Sequence, residues 1–568
     1  MDTFEKILSG KLRLALSAAG LSPVGEVVPA TDGRFGDYQT NVALILAKER
    51  GENPRALAAR IIEHLEVAEW SEAPTIAGAG FINFTLKPHA VAAQAARLLQ
   101  DDRLGVPLVA APRRIVIDFG SPNVAKPMHV GHIRSIVLGD SLARIATFLG
   151  HEVIRDNHIG DWGTQFGMVI YGWKHLLDRA ALARDAIAEL VRIYKTANEL
   201  TQTDPAVRDA CRNELVRLQA GDEENLRIWN ECVSLSMQEF EAAYELLGVH
   251  YDIQRGESFY NNRLPAVVDR LLKSGIAEVS EGAVCVFFRD IPELAERPCI
   301  IQKSDGGFNY ATTDIATIDY RVQDLGADTI WIVTGAPQQL HFKQIFEIAR
   351  RERYRTDFRH ITHGSILGEN RKLMKTRSGE NVPLNDLLEE AIVRARKIVE
   401  QKNPELPAAE MNQIAQVIGL AAVKYADLSQ YRMTDYIFSW DRMLSLQGNT
   451  APYLQNAYVR IRSIFRKAGG EFVPPNELVL TEPAELTLAK RLTQFAETVP
   501  QVLNDFRPNL LANYLFDLAN SFHAFYEACP VLKADEPARG TRLALCDFTA
   551  RTLQRGLDLL GIDVPEKM

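Results

Sequence analysis

The sequence predicts an α/β protein in which a doubly wound parallel sheet carries an inserted segment and is flanked by an N-terminal α+β domain and a C-terminal all-α bundle. Three observations predict it. Short aliphatic runs, IVIDF at 115–119 and TIWIVTG at 329–335, each precede a helical pattern, as buried parallel strands do in βα units. The first hundred residues mix extended stretches with amphipathic helices. From about Leu384 the apolar residues recur at helical spacing, punctuated by Pro474, Pro475, Pro483 and Pro500.

Taken in order, Phe4, Ile7, Leu8, Leu12 and Leu16 form one stripe of an opening amphipathic helix. The turn-rich TDGRFGDYQTN follows, then helices from about Asn41 and Pro54 and an extended FINFTL at 81–86. Pro107 and Pro112 mark a linker, which sets a first domain at 1–110. A Rossmann-like catalytic domain is expected at 111–384: IVIDF, a Gly/Ser/Pro/Asn turn, a helix to Leu149, the strand EVIRDNH, the helix QFGMVIYGWKHLL, and later TIWIVTG with HITHGSIL. A helical and mixed insertion at about 178–300 separates its halves. Residues 385–568 are expected to be helical, with a bundle at about 445–568.

The chain has 568 residues, enough for three or four domains at roughly 150 residues each. A net charge of -9 argues against a protein that coats nucleic acid non-specifically, while leaving room for a local basic groove. Six scattered cysteines, none at zinc-knuckle spacing, suggest a reducing, cytoplasmic setting and no metal-ligand set. The longest aliphatic stretches, such as VALILA at 42–47, fall far short of the ~20 residues of a membrane span, so no membrane association is expected.

The stretch IDFGSPNVAKPMHVGHIRSIVLGD, 117–140, is the most informative. It reads as strand, tight turn, then His129-Val-Gly-His132 at the mouth of a helix. Glycine lets backbone approach a ligand, free N–H groups of the helix end suit a phosphate, and imidazole donors can stabilise charge developing during nucleotidyl transfer. Two histidines that simply cap a helix would give the same four residues.

This segment resembles the HIGH signature of class I aminoacyl-tRNA synthetases, and SPNVAKPMHVGHIRS is similar to the arginyl-tRNA synthetase family. NHIGDWGTQFG (157–167), NYATTDIA (309–316), GAPQQLHFKQ (335–344), the N-terminal FGDYQTN and AGAGFINF, and the ending LDLLGIDVPEKM extend the resemblance over the chain. It implies a ligase that activates L-arginine with ATP and Mg²⁺ and transfers it to tRNA(Arg), acting as a monomer. His129, His132 and Lys126 would be catalytic. Gly131, His129, His132, His341, Met374, Lys375 and Arg377 would bind ATP. The last three belong to GENRKLMKTRSGE (368–380), where Thr376 replaces the second lysine of the family's KMSKS pattern and Lys126 would compensate. Asp118, Asn123, Tyr310, Asp314 and Gln338 would bind arginine, with Asp161, Trp162 and Gln165 lining the pocket. Guanidinium is a planar five-donor fork that pairs bidentately with carboxylates, so acidic residues there are coherent. Tyr453, Arg460 and Arg462 would meet the tRNA. The alternatives are a class I synthetase for lysine or glutamate, a silent tRNA-binding paralogue, or a small-molecule nucleotidylyltransferase.

Overall fold

The computed structural model describes residues 2–375, 381–469 and 472–568. They form two compact units, one of 109–444 with 559–562, the other of 1–108 with 445–558 and 563–568.

The first unit is built on five parallel strands: β1 (Arg114–Asp118), β2 (Glu152–Ile159), β3 (Ile253–Gly256), β4 (Thr329–Gly335) and β5 (Asp357–His363). Their order, β5-β4-β1-β2-β3, is doubly wound, and it reverses between β1 and β4. Ligands in such sheets bind outside the carboxyl ends of the strands at that reversal. Asp118 ends β1 in register with Ile332 of β4 and Asp156 of β2. Helix α1 (Val130–Phe148) returns from β1 to β2. It is apolar nearly all round because it is buried on nearly every side. Gly139 allows its contact with the sheet, since a Cβ there would lie 2.2 Å from the Phe119 ring.

Helices fill the interval between β2 and β3, beginning with α2 (Gln165–His175) and ending with the 25-residue α3 (Glu223–Leu247). The interval between β3 and β4 holds a three-stranded antiparallel sheet of Glu278–Ser280, Ala283–Val286 and Cys299–Gln302, then α4 (Tyr310–Asp319). Helix α5 (Gln339–Arg351) follows β4. β3 itself lies inside the stretch expected to be an insertion. Helices Leu384–Lys402 and Ala408–Leu428, which periodicity groups with the C-terminal helices, belong to the unit of this sheet.

The second unit joins the two ends of the chain. An antiparallel sheet of Val28–Pro29, Tyr38–Thr40, Phe81–Phe84 and Thr75–Ala77, in that order, carries the N-terminal helices. It packs with five helices between Ala451 and Leu559. Lys490 pairs with Asp37 at 2.7 Å, and Tyr38 donates to the buried Glu497 at 2.9 Å. Among the described residues no helix is long and apolar enough to cross a membrane.

Candidate active site

The turn after β1 is held in a backbone conformation that L-residues seldom adopt. Gly120, Ser121 and Ala125 have φ of 90°, 47° and 60°. Such strain persists where surroundings over-determine it, and here they do. The Gly120 amide donates to Ser135 Oγ, Ser121 to Asn157 Oδ1, and Ala125 to Ser236 Oγ. Ser135 in turn donates to the Val333 carbonyl of β4 at 2.6 Å, tying the turn across the point of reversal. Asn123 is exposed and bridges Gly160.

At the mouth of α1 the two histidines are fixed by backbone donors. The Gly131 amide donates to His129 Nδ1 at 3.1 Å, and the His129 amide donates to His132 Nδ1 at 3.0 Å. With its Nδ1 accepting, the neutral His129 ring carries its proton on Nε2, while the Nδ1 of His132 also lies 3.3 Å from the His129 carbonyl. Burial lowers the pKa of both and pushes His132 down to about 4, so at neutral pH they are uncharged N–H donors beside the helix N-terminus. Gly131 is required locally, because a Cβ there would lie 2.9 Å from the His129 ring. Lys126 is exposed over the Tyr194 ring at 5.9 Å.

The second signature region leans on the first. Val130 donates to the Val382 carbonyl and Leu384 to that of Met128, both at 2.9 Å. Lys375 bridges Asn381, and Met374 donates to Ile366. Lys375 is exposed and Met374 half-buried. Arg377 and Thr376 lie outside the described residues.

Across the reversal, Tyr310 and Asp314 stand one turn apart on α4 and therefore share a face. His341, in the first turn of α5, lies tilted at 58° against Tyr310 with ring centroids 4.8 Å apart and donates from Nε2 to Asp314 Oδ2 at 2.5 Å. Gln338 is exposed on the short helix after β4. Sequence reasoning missed Glu257, which directly follows β3. Burial raises its pKa, and the charges of Asp314 and Asp161 push it further up, so these three carboxylates interact across one cluster.

The remaining expected residues have internal partners. Asp118 Oδ2 accepts from the wholly buried Arg321 at 2.6 Å and Oδ1 from Ser121 Oγ at 2.8 Å. The same guanidinium reaches Asp156 at 2.8 Å. Asp161 accepts from the Ser258 amide and hydroxyl, which fixes the Glu257 turn. Trp162 packs edge-on against Trp229, and Gln165 opens α2 against Gly163. Arg321 was not legible as a site residue.

In the second unit a cavity of about 830 Å³ is lined by Arg460, Arg466, Lys467, Tyr526, Lys533 and Lys567. Arg460 lies over the Tyr526 ring at 5.5 Å, Tyr453 donates to Asn520 at 2.7 Å, and Arg462 pairs with Glu566 at 3.4 Å. Basic side chains interleaved with aromatic faces suit unpaired RNA bases and their phosphates.

A doubly wound parallel sheet with an HxGH helix at its reversal, followed by a helical unit with a basic cavity, has the organisation of a class I aminoacyl-tRNA synthetase. Residues 94–440 match the family described as tRNA synthetases class I (R), catalytic domain; residues 454–568 match the DALR anticodon binding domain, and 4–86 the arginyl tRNA synthetase N terminal domain. Arginine--tRNA ligases of Synechococcus elongatus and of Synechocystis are each 47% identical, the first over 95% of both chains, the second over 100% of this chain and 98% of its own. Solved arginyl-tRNA synthetases from Plasmodium falciparum and Thermus thermophilus superpose with TM-scores of 0.87 and 0.85 over 100% of both chains, at 29% and 28% identity. The chain belongs to the arginyl-tRNA synthetase family, and so to the enzymes of the ligase class.

Proposed function

We propose that the chain activates L-arginine with ATP and transfers it to the terminal adenosine of tRNA(Arg). The observation that carries this reading is the pairing, across one strand reversal, of a phosphate-suited helix mouth with an acidic cluster that includes Tyr310. The amino acid's carboxylate oxygen attacks the α-phosphorus, the bond to the β-phosphate oxygen breaks, and pyrophosphate leaves. The 2′-hydroxyl of the terminal adenosine then attacks the arginyl carbonyl, AMP leaves, and the hydroxyl proton departs with it. The protein positions the reactants and stabilises charge: the ring N–H groups of His129 and His132 and the amides of the helix mouth face the phosphates, with Lys126, Lys375 and Arg377 supplying positive charge. Mg²⁺ enters as part of the nucleotide substrate, since it is typically held by substrate phosphates, water and few protein groups.

Asp314 and Glu257 take the guanidinium, Tyr310 and Gln338 orient the substrate, and Asn123 meets its backbone end. Half-buried acceptors that suit a five-donor fork are left partly unpaired by lysine, which favours discrimination without an editing domain. The basic cavity with Tyr453, Arg460 and Arg462 receives the anticodon region of the tRNA. The six cysteines, all free and buried, suit the reducing cytoplasm.

ATP–pyrophosphate exchange with a panel of amino acids, run with and without tRNA(Arg), tests the reading. Exchange with arginine alone is expected. Exchange with lysine or glutamate and not arginine overturns the specificity, and tRNA binding without any exchange points to a silent paralogue. Lys126→Ala is expected to slow activation by at least tenfold while leaving the arginine KM unchanged.

A further inference from the structure

His341 falls within the ATP-binding set that the family resemblance implies, yet its hydrogen bond and its contact with Tyr310 place it on the amino-acid side of the site. Its Nε2 meets Asp314 Oδ2 at 2.5 Å, its ring lies 4.8 Å from that of Tyr310, and on its other side it meets Phe342 at 4.9 Å. A carboxylate only accepts, so Nε2 carries the proton whatever the charge of the ring. Each carboxylate oxygen has two acceptor sites, so Asp314 can accept this bond and still take both prongs of a guanidinium.

We propose that His341 is a specificity-determining positioning residue, which fixes the plane of the Asp314 carboxylate and the face of Tyr310 so that the pair matches a planar two-pronged cation. The inference rests on the reading of this cluster as the arginine pocket. Three geometric facts support it. Asp314 is attached to α4 alone, and a short side chain with one rotatable terminal torsion needs a second anchor to hold its plane. The anchor comes from a different element, the first turn of α5, immediately after the β4 end that borders the helix mouth. The anchoring bond is charge-assisted, the strong kind. An ammonium is a compact point charge with three rotatable donors and is largely indifferent to the plane of its carboxylate, so anchoring favours guanidinium selectively.

The experiment is steady-state ATP–pyrophosphate exchange by the full chain with tRNA(Arg) present, titrating arginine, lysine and ATP separately for wild type, His341→Ala and His341→Gln. For His341→Ala the arginine KM is expected to rise roughly ten- to a hundredfold, with the ATP KM within about twofold of wild type. The ratio of arginine to lysine kcat/KM should fall by a similar factor. His341→Gln, whose amide can donate from nearly the same place, should recover most of both losses. A raised ATP KM with arginine unaffected would place the ring on the nucleotide and overturn the proposal. So would a uniform loss with the arginine-to-lysine ratio unchanged, or equal damage in the Gln and Ala variants. Thermal melting and tRNA binding of both variants identify general unfolding, in which case the Gln variant decides. Wild-type enzyme that exchanges with another amino acid instead of arginine would fail the parent reading, an outcome visible before any variant is compared.

Discussion

Two acidic clusters near the carboxyl ends of the sheet are built from the same residue types and compensated in opposite ways. Asp118 and Asp156 share the guanidinium of Arg321, which reaches them at 2.6 and 2.8 Å and is 2% exposed. Burial opposes ionisation of both; Arg321 overcomes it at Asp118, which stays below the ordinary carboxylate range, and does not at Asp156, which is raised. Asp314 and Glu257 are compensated by imidazoles and an amide instead: Asp314 has the His341 ring, and Glu257 feels the charge of His158 and accepts from the Trp162 amide. The closed cluster shows how this chain holds a guanidinium between two carboxylates, and on the proposed reading the open one would take the guanidinium of a substrate. On that reading one cluster would serve the fold and the other the reaction, which gives a way to separate them by mutation.

The largest effect is expected at the closed cluster. Arg321→Met leaves two carboxylates buried without a counter-ion and should cost about 3–5 kcal/mol of stability, read from the midpoint of chemical denaturation. Arg321→Lys should recover part of it. A loss under about 1 kcal/mol would mean that the ion triad contributes little. At the open cluster the two readouts should part company. Glu257→Gln relieves repulsion with Asp314 and is expected to leave the melting temperature unchanged or slightly higher. Its kcat/KM for arginine should nevertheless drop on the order of 10²- to 10³-fold in the exchange assay. A stability loss comparable to that of Arg321→Met would erase the distinction between the clusters.

How legible these clusters were follows from what signals them. Asp314 and Tyr310 were readable because helical spacing puts them on one face and the NYATTD string resembles a family motif. Asp118 was readable as an acid at the end of an aliphatic strand, but its partner was not: Arg321 is 203 residues away, and no local pattern distinguishes a buried arginine from an exposed one. Glu257 was hidden for a different reason. Its strand, Ile253–Gly256, has four residues with Gln and Arg at its centre, so it lacks the aliphatic run that revealed β1 and β4. The parallel sheet was therefore legible in four of its strands, and only the β3 edge came from the fold alone. The helix mouth at His129 and His132 was the most legible part, because strand, turn and helix are contiguous in sequence. That Nδ1 of His129 accepts from backbone, which puts its proton on Nε2, was not.

Three buried histidines of one compact unit and a buried carboxylate of the other should also differ in the sign of their pH response. In the unit of the parallel sheet, burial pushes His132, His360 and His363 down to about 4, against about 6.5 in the unfolded chain. Between those values the unfolded state binds protons the native state refuses, so stability present above pH 6.5 is lost as pH falls toward 4. For His132 and His363 the loss should be of order 2–3 kcal/mol each, and His363→Asn should flatten the acid limb of a melting profile.

In the unit that joins the chain ends the sign reverses. Glu497 accepts from the Tyr38 hydroxyl and the Glu5 amide in a buried site, and burial, opposed by that amide and reinforced by the charge of Glu5, raises its pKa to about 7. Its folded value lies above its unfolded one, so the stability it contributes is complete below about pH 4.5 and is lost as pH rises through 7. Glutamine has the shape of the protonated acid and keeps an acceptor for Tyr38. Glu497→Gln is therefore expected to be neutral at pH 5 and to stabilise by roughly 1 kcal/mol at pH 8, compared by denaturation at the two pH values. Because the histidines sit in the other unit, a Glu497→Gln chain should keep its acid limb unchanged while its alkaline limb flattens. A variant that moved both limbs together would show that the two units melt as one cooperative body, and the contrast between them would then belong to local electrostatics alone.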